Sequence, residues 1–347
     1  MTDDACRPLK RARVSDTDLS SSPSSASASH FQRQDPEFWL SDGNIILVAK
    51  NGTAFRVYRG LIAAQSTVFE DMFVSSTSGA DELFDGCPVV QLTDSSEDLT
   101  HLLRVLLPKS ERRYHRTERR TFDELSAVIR LAHKYHIQDV QDQALAFLQE
   151  TVFPSSFARW YEPFTGTHVT AIQSIGVVNI ARLTNTPSLL PHGFYFCTYL
   201  GGKLFDGWTR EDGTVEQLST DDLRRCFDGQ RALALEANLI PGEIFTEAQM
   251  ADCTSPARCQ LTWQQTLRGI GTCREVNVDR RALDRWNPMI TNMAKDEMGA
   301  PARICRVCEK ELLRRERRQR YLIWKKLPEI FGVTVEGWGA GGDEAGP

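Results

Sequence analysis

Apolar residues in the first half of the chain follow a strand pattern at three places. Residues 45–48 form an uninterrupted apolar run rich in β-branched side chains, typical of a buried strand. The Asn51-Gly52 pair follows, and this dipeptide favours a hairpin turn. Apolar residues then alternate with polar ones over 54–58, and a third apolar run occupies 88–92. These patterns predict three strands.

Segments with apolar residues at helical spacing lie between these strands and after them. Ser66 precedes one such segment, and Asp94 or Ser95 precedes a second. Thr121 precedes a third, and all these residue types cap helix N-termini well. Another helical pattern covers residues 137–148. Because the helices gather after and between a few strands, the sequence predicts an α+β domain with a small sheet flanked by helices.

The second half of the chain has helical periodicity almost throughout. Apolar positions recur at helical spacing over 168–183, and Pro187 and Pro191 are expected to interrupt the chain after that helix. The sequence therefore predicts a mainly α-helical domain over residues 165–333. The Gly- and Glu-rich residues 334–347 are predicted to form a flexible tail.

Composition places the chain among ordinary globular proteins. It has 347 residues, 41% hydrophobic residues and a net charge of −5. It lacks an apolar run of the roughly 20 residues that cross a bilayer, and the N-terminus lacks the apolar core of a signal peptide. The expected location is intracellular, in nucleus or cytoplasm, with no membrane partner. Ser-rich residues 1–34 are expected to be disordered, and Lys10, Arg11 and Arg13 are either an import signal or solvated charges.

Residues 37–150 contain a set of spaced motifs in a characteristic order. Asp42 and Ile46 accompany the first strand, VVQLTDSSEDLTHLL contains the third strand and its helix, and LAHKYHI begins at residue 131. The segment between them carries Phe55, Val57, Tyr58, Arg59, Ile62, Ser66, Phe69, Met72 and Phe73. In these features the segment resembles a BTB/POZ domain, in which a strand hairpin leads into a pair of short helices. The resemblance implies that fold for residues 37–150 and a role in protein–protein interaction.

The remainder resembles the companion region of fungal, mushroom-type BTB proteins. The shared features are a Leu-Pro-x-x-x-Tyr motif, a Leu-Ser-x-x-Asp-Leu helix start, paired cysteines and a Trp-x-x-Leu-Pro-x-x-Phe-Gly motif. Here these are Leu190, Pro191 and Tyr195; Leu218, Ser219, Asp222 and Leu223; Cys253, Cys259, Cys305 and Cys308; and Trp324, Leu327, Pro328, Phe331 and Gly332. This second resemblance implies no known activity.

The BTB resemblance also suggests partners. Family members often act as adaptors that bring substrates to cullin ubiquitin ligases, using a hydrophobic-x-Glu step in the loop after the Met-Phe helix. Residues 73–86 contain no clear equivalent of this step, so a cullin adaptor is an alternative hypothesis. The run before Asp42 is shorter than in members that exchange strands, which predicts a weak homodimer or none.

Cysteine spacing provides the main chemical hypothesis. Cys305 and Cys308 form a C-x2-C step at a predicted helix start, and Cys253 and Cys259 form a looser C-x5-C step. No histidine follows His192, so a metal site here would use four thiolates. The interpretations are one structural Zn²⁺ held by these four residues, ordinary reduced cysteines, or a C-x2-C redox pair.

The sequence contains no recognisable catalytic motif. It lacks G-x-S-x-G, P-loop and H-E-x-x-H patterns, so we predict no enzymatic activity, no catalytic residues and no bound organic cofactor.

The basic segment 303–326 is predicted to form a solvated helix that pairs with acidic neighbours. Nucleic acid is therefore not an expected partner, and a nuclear regulator that contacts nucleic acid is kept as an alternative to an interaction module.

Overall fold

The structure is a computed structural model, and its description covers most of the chain. The described residues are 31–78, 83–107, 120–161, 169–246, 252–272, 282–286 and 302–340, with residues 288, 294 and 299. The predicted disordered residues 1–30, the basic cluster Lys10 to Arg13 and most of segment 109–120 lie outside these ranges.

A five-stranded sheet forms the centre of the N-terminal part. Its strands are β1 (Arg33–Trp39), β2 (Ile45–Val48), β3 (Thr53–Val57), β4 (Leu83–Phe84) and β5 (Cys87–Gln91). The strand order is β1-β3-β2-β5-β4. Strand β2 pairs antiparallel with β3 and parallel with β5. The three predicted strands are therefore confirmed as the central strands of the sheet.

Five helices within the described ranges accompany this sheet, and three of them begin at the predicted caps. Ser66 Oγ accepts a hydrogen bond from the N–H of Phe69, and Ser95 and Thr121 cap the next two helices in the same way. The caps satisfy N–H groups that have no partner inside a helix. The helices are α1 (Arg59–Ala63), α2 (Thr67–Ser78), α3 (Ser96–Leu106), α4 (Phe122–Lys134) and α5 (Gln138–Thr151).

The C-terminal part is mainly helical and contains one short hairpin. Strands β6 (Trp208–Thr209) and β7 (Val215–Glu216) pair antiparallel. Its helices in the described ranges include α6 (Phe157–Tyr161), α7 (Ser174–Leu183), α8 (Leu190–Cys197), α9 (Lys203–Asp206), α10 (Thr220–Phe245), α11 (Pro256–Thr272) and α12 (Arg306–Ile330). The α+β class, with a small sheet and helices followed by a helical part, is confirmed.

The hairpin of β6 and β7 joins the two parts of the chain. The Trp208 ring packs on Phe122 of α4, with ring centroids 5.2 Å apart. Arg210 binds Asp98 of α3 at 2.6 Å, and Glu216 accepts from Arg130 of α4 at 2.6 Å. Buried apolar residues of both parts belong to one continuous cluster. The predicted parts are therefore packed against each other through an apolar contact flanked by ion pairs.

The ordered chain begins earlier than the sequence predicts. Residues 33 and 34, assigned to the disordered tail, belong to β1, which pairs parallel with β3. Only Phe38 within β1 is fully buried, so this edge strand lacks the apolar alternation by which strands are recognised. The argument that little strand precedes Asp42 is thus wrong, because β1 has seven residues.

Two further sequence expectations differ from the structure for local reasons. Pro191 does not interrupt the chain, because it lies in the first turn of α8, where a missing N–H costs no hydrogen bond. Trp338, predicted to lie in the flexible tail, stacks on Trp324 at 4.4 Å between ring centroids. Its Nε1 also donates to the carbonyl oxygen of Trp324. A single large aromatic side chain therefore holds part of this glycine-rich segment against the helical part, although the composition of the segment predicts flexibility.

His192 lies in the centre of this aromatic region. It is fully buried, and its Nε2 accepts a hydrogen bond from Trp324 Nε1 at 3.0 Å. Trp160 stacks parallel to the imidazole, and the Trp338 ring lies 5.2 Å away between centroids. Burial without a carboxylate partner lowers the pKa of His192 to about 3. The imidazole is therefore neutral in the folded chain at every ordinary pH.

We expect this neutral histidine to make folding sensitive to acid. The pKa of His192 is lower in the folded state than its unfolded value of about 6.5, so the unfolded chain binds the extra proton. The stability that this group contributes is fully present above about pH 6.5 and is lost as the pH falls toward 3, at up to about 1.4 kcal/mol per pH unit. The measurement is urea denaturation from pH 7.5 to 4.5 on the native chain and on His192→Gln, which keeps an acceptor for Trp324. The native chain should lose more stability than the variant, and parallel curves would contradict the assignment.

No helix in the described part of the chain is both long and apolar enough to span a membrane.

Candidate metal centre and interaction domain

Two separate segments bring the predicted cysteines together. Cys253 lies in the loop before α11, and Cys259 lies in the first turns of that helix, which Pro256 begins. Proline favours this first helical position, so the loop turns directly into the helix. Cys305 is the N-cap residue of α12, and Cys308 lies in its first turn. The C-x2-C step therefore has the geometry of a helix start, as the sequence predicts.

The four sulfur atoms form one compact cluster. They lie within 4.8 Å of one another. Cys253 Sγ is 3.7 Å from Cys305 Sγ and 3.5 Å from Cys308 Sγ. Four thiolates at about 2.3 Å from a tetrahedral Zn²⁺ have sulfur–sulfur distances of about 3.8 Å. The two measured distances thus approach the edges of a zinc–thiolate tetrahedron.

Backbone N–H groups at the start of α12 point into the cluster. The N–H of Cys305 donates to Cys259 Sγ at 3.2 Å. The N–H of Cys308 lowers the pKa of the Cys305 thiol to about 5, whereas burial raises the pKa of Cys259 and of Cys308. Hydrogen bonds to sulfur stabilise the thiolate, which is the form that binds metal. The cluster therefore combines Cys305, whose thiol has a lowered pKa, with Cys259 and Cys308, whose protons a bound cation would displace.

The surroundings of the cluster suit a closed site with compensating charge. Cys259, Cys305 and Cys308 are buried, and Cys253 is half-buried. The side chains of Arg258, Arg303 and Arg306 are close to these ligands in sequence and are exposed at the surface. A Zn²⁺ with four thiolates carries a charge of about −2, which neighbouring cations stabilise. Four protein ligands leave no open position, so such a site is structural and not catalytic.

The described residues contain no second group of three or more metal-binding side chains. Cys226, which could have replaced one ligand, is instead buried beside Cys197, far along the chain from α11 and α12. His133 Nδ1 lies 3.2 Å from Gln141 Oε1, a contact between the helices α4 and α5. The structure therefore brings together all four cysteines that the sequence selects.

Comparison with known families gives a match in the N-terminal part of the chain, away from the cysteine cluster. In its N-terminal part, the β2–β3 hairpin leads into the short helices α1 and α2, which is the arrangement that the sequence resemblance implies. Residues 40–152 match the model of the BTB/POZ domain family. No curated protein gave a match to the chain. BTB/POZ domains generally mediate protein–protein interaction and are not generally enzymes.

The BTB/POZ domain has large exposed apolar side chains on either side of residues 79–82 in the sequence. Val74, near the end of α2, is 56% exposed, and Leu83, in β4, is 57% exposed. Both flank residues 79–82, which lie outside the described ranges, as does part of the segment considered for cullin binding. Sequence reasoning did not select Val74 or Leu83, since exposure of a single apolar residue has no sequence signal. We call these two exposed side chains the apolar loop edge of the domain.

Proposed function

We propose that this protein is a non-enzymatic scaffold or adaptor that binds other proteins through its BTB/POZ domain. The observation that carries the proposal is the family match over residues 40–152. The proposed organisation is a BTB/POZ domain at 37–150 and a helical companion domain at 165–333. The companion is proposed to be of the mushroom-type fungal kind, which rests on the motif resemblance alone.

The apolar loop edge is the proposed contact surface for a protein partner. Val74 and Leu83 are 56% and 57% exposed, and burying the remaining surface of each would contribute about 1 to 1.5 kcal/mol. A homodimer is proposed to be weak or absent for a new reason. Strand β1 already pairs with β3 of its own chain, so its hydrogen-bonding groups on that side are occupied.

Quantitative affinity capture tests this function. The bait is the full chain, compared with the double variant Val74→Asp and Leu83→Asp. The matched control is Leu235→Asp, because Leu235 is comparably exposed on α10 of the companion domain. A set of proteins that is lost with the double variant and kept with the control supports the proposal. If the double variant captures the same proteins as the native chain, the apolar loop edge is not the contact surface.

Two more specific roles remain alternatives within the same proposal. A cullin among the captured proteins would favour a ubiquitin-ligase adaptor, which the family resemblance suggests. A nuclear regulator is the other alternative, supported by the basic residues near the N-terminus and along α12. Either role implies action inside the cell, in nucleus or cytoplasm, where thiols stay reduced.

We also propose that Cys253, Cys259, Cys305 and Cys308 bind one structural Zn²⁺. The supporting observation is the compact sulfur cluster, in which Cys253 Sγ lies 3.5 Å from Cys308 Sγ and 3.7 Å from Cys305 Sγ. The ion would fasten the start of α12 to the start of α11, and its binding energy would be partly folding energy.

Thiol accessibility provides a direct test of this zinc assignment. In the folded native chain, a thiol reagent should leave the four cysteines unmodified until a chelator is added. The released Zn²⁺ can be followed with a chromogenic chelator in the same cuvette. Rapid modification of all four thiols without any zinc release would contradict the assignment and favour ordinary reduced cysteines.

A further inference from the structure

One face of α12 is predominantly basic over residues 306–318, where the half-buried Val307 is its one non-basic residue. With 100° between successive helical residues, Arg306, Lys310, Arg314, Arg317 and Arg318 lie within a band about 120° wide. We call these five residues the basic band. Four of them are exposed and Arg317 is half-exposed. Successive turns place charges about 6 Å apart, so the band extends about 18 Å along the helix.

On the opposite face of α12, two charged residues are buried and hydrogen-bonded within the protein. Glu316 is buried and accepts a hydrogen bond from the backbone N–H of Trp286 at 2.8 Å. Arg320 is also buried, and its Nε donates to the carbonyl oxygen of Leu283. These contacts fix the orientation of the helix, so the basic band must face outward.

Acidic neighbours compensate only part of the band. Glu311 binds Arg314 at 2.7 Å and Arg315 at 2.9 Å. Among the described residues, Arg306, Lys310 and Arg318 have no acidic partner within 4.0 Å. The sequence interpretation of a helix paired with acidic neighbours therefore holds for Arg314, Arg315 and Lys326, and fails for these three.

The composition of the band favours phosphate over an acidic protein as its ligand. Four of its five side chains are arginines, whose planar guanidinium groups bind phosphate through paired hydrogen bonds. The band has no aromatic or aliphatic residue at its centre, whereas protein interfaces have an apolar centre with few charges. Protein–nucleic acid interfaces are more polar and much more positively charged. We propose that the basic band is a docking surface for the phosphate backbone of a nucleic acid, bound without sequence specificity.

This proposal is independent of the protein-binding function. The whole chain has a net charge of −5, so attraction to a polyanion must be local to this surface. The affinity should consequently be weak at physiological salt and fall steeply as salt rises, because each neutralised phosphate releases counterions.

Fluorescence anisotropy with the full chain tests the proposal. The probes are a labelled 20-base-pair duplex DNA and a labelled 20-nucleotide RNA, each titrated between 50 and 200 mM NaCl. The band variant is Arg306→Gln, Lys310→Gln and Arg318→Gln. The matched control is Lys203→Gln, Arg224→Gln and Arg231→Gln, which changes the same charge at exposed positions on α9 and α10.

The expected result is binding of at least one probe by the native chain and the control with affinities within about 2-fold. The band variant should bind at least about 10-fold more weakly at 100 mM salt. Its slope of log K against log salt should be smaller by about 2.7 for duplex DNA, corresponding to three lost phosphate contacts. Absence of binding by the native chain at 50 mM salt would overturn the proposal, as would equal losses in both variants. Stronger displacement by polyglutamate than by unlabelled nucleic acid would also overturn it, in favour of an acidic protein partner.

Discussion

Replacing Cys305 and Cys308 with serine together is expected to lower the free energy of unfolding by at least about 3 kcal/mol. The expectation follows from the zinc proposal, because structural zinc sites in small peptides have apparent binding energies of about 10 to 16 kcal/mol. Loss of the ion leaves the start of α12 without its attachment to Cys253 and Cys259. Amide hydrogen exchange should accelerate in residues 252–272 and 302–330 and remain slow in the sheet of the BTB/POZ domain.

The matched control for that variant is Cys87→Ala with Cys226→Ala. Both residues are buried cysteines outside the cluster, so the control removes the same number of buried thiols without touching a proposed ligand. Chelation of the native chain should reproduce the exchange pattern of the serine variant and leave the serine variant itself unchanged. The contradicting result has two parts. The serine variant would lose no more stability than the alanine variant, and its amide exchange in residues 252–272 and 302–330 would not accelerate. The cluster cysteines would then contribute packing only.

Phe69→Ala is expected to destabilise the BTB/POZ domain by about 3 to 5 kcal/mol. Phe69 is 1% exposed, and its ring stacks on Tyr135 with 4.0 Å between centroids. Ser66 holds this arrangement, because its Oγ caps α2 at Phe69 and donates to the carbonyl oxygen of Tyr135. Removing the ring leaves a cavity between α2 and the end of α4 that the rigid backbone cannot close.

Urea denaturation of the full chain measures this effect. The control is Val74→Ala on the same helix, which should change stability by less than about 0.5 kcal/mol because Val74 is largely exposed. An unchanged unfolding midpoint for Phe69→Ala would show that the ring is not part of the core.

Local signals account for the features that the sequence predicts well. Ser66, Ser95 and Thr121 each mark a helix start, because a cap is an interaction between residues three positions apart. The run at 45–48 predicts a central strand, since both faces of β2 are buried. Cysteine pairs at short spacing likewise identify the cluster, although the distance in sequence between the pairs says nothing about whether they meet.

Features that depend on distant partners have no such signal. Strand β1 is a mostly exposed edge strand that is held by pairing with β3. The β6–β7 hairpin has only two residues in each strand and is stabilised by Trp208, Arg210 and Glu216 contacting α3 and α4. On α12, Glu316 and Arg320 are buried, whereas the apolar residues Leu313 and Leu322 are exposed. Polar groups buried by specific partners therefore override the apolar pattern.

Metal analysis of the native chain, purified without added metal or chelator, tests the central claim most directly. Inductively coupled plasma mass spectrometry should give about one zinc per chain, and the Cys305→Ser, Cys308→Ser variant should give almost none. The Cys87→Ala, Cys226→Ala control should keep the native zinc content. Less than about 0.2 zinc per native chain, with Cys253, Cys259, Cys305 and Cys308 all freely alkylated in the folded state, would contradict a structural zinc centre at this cluster.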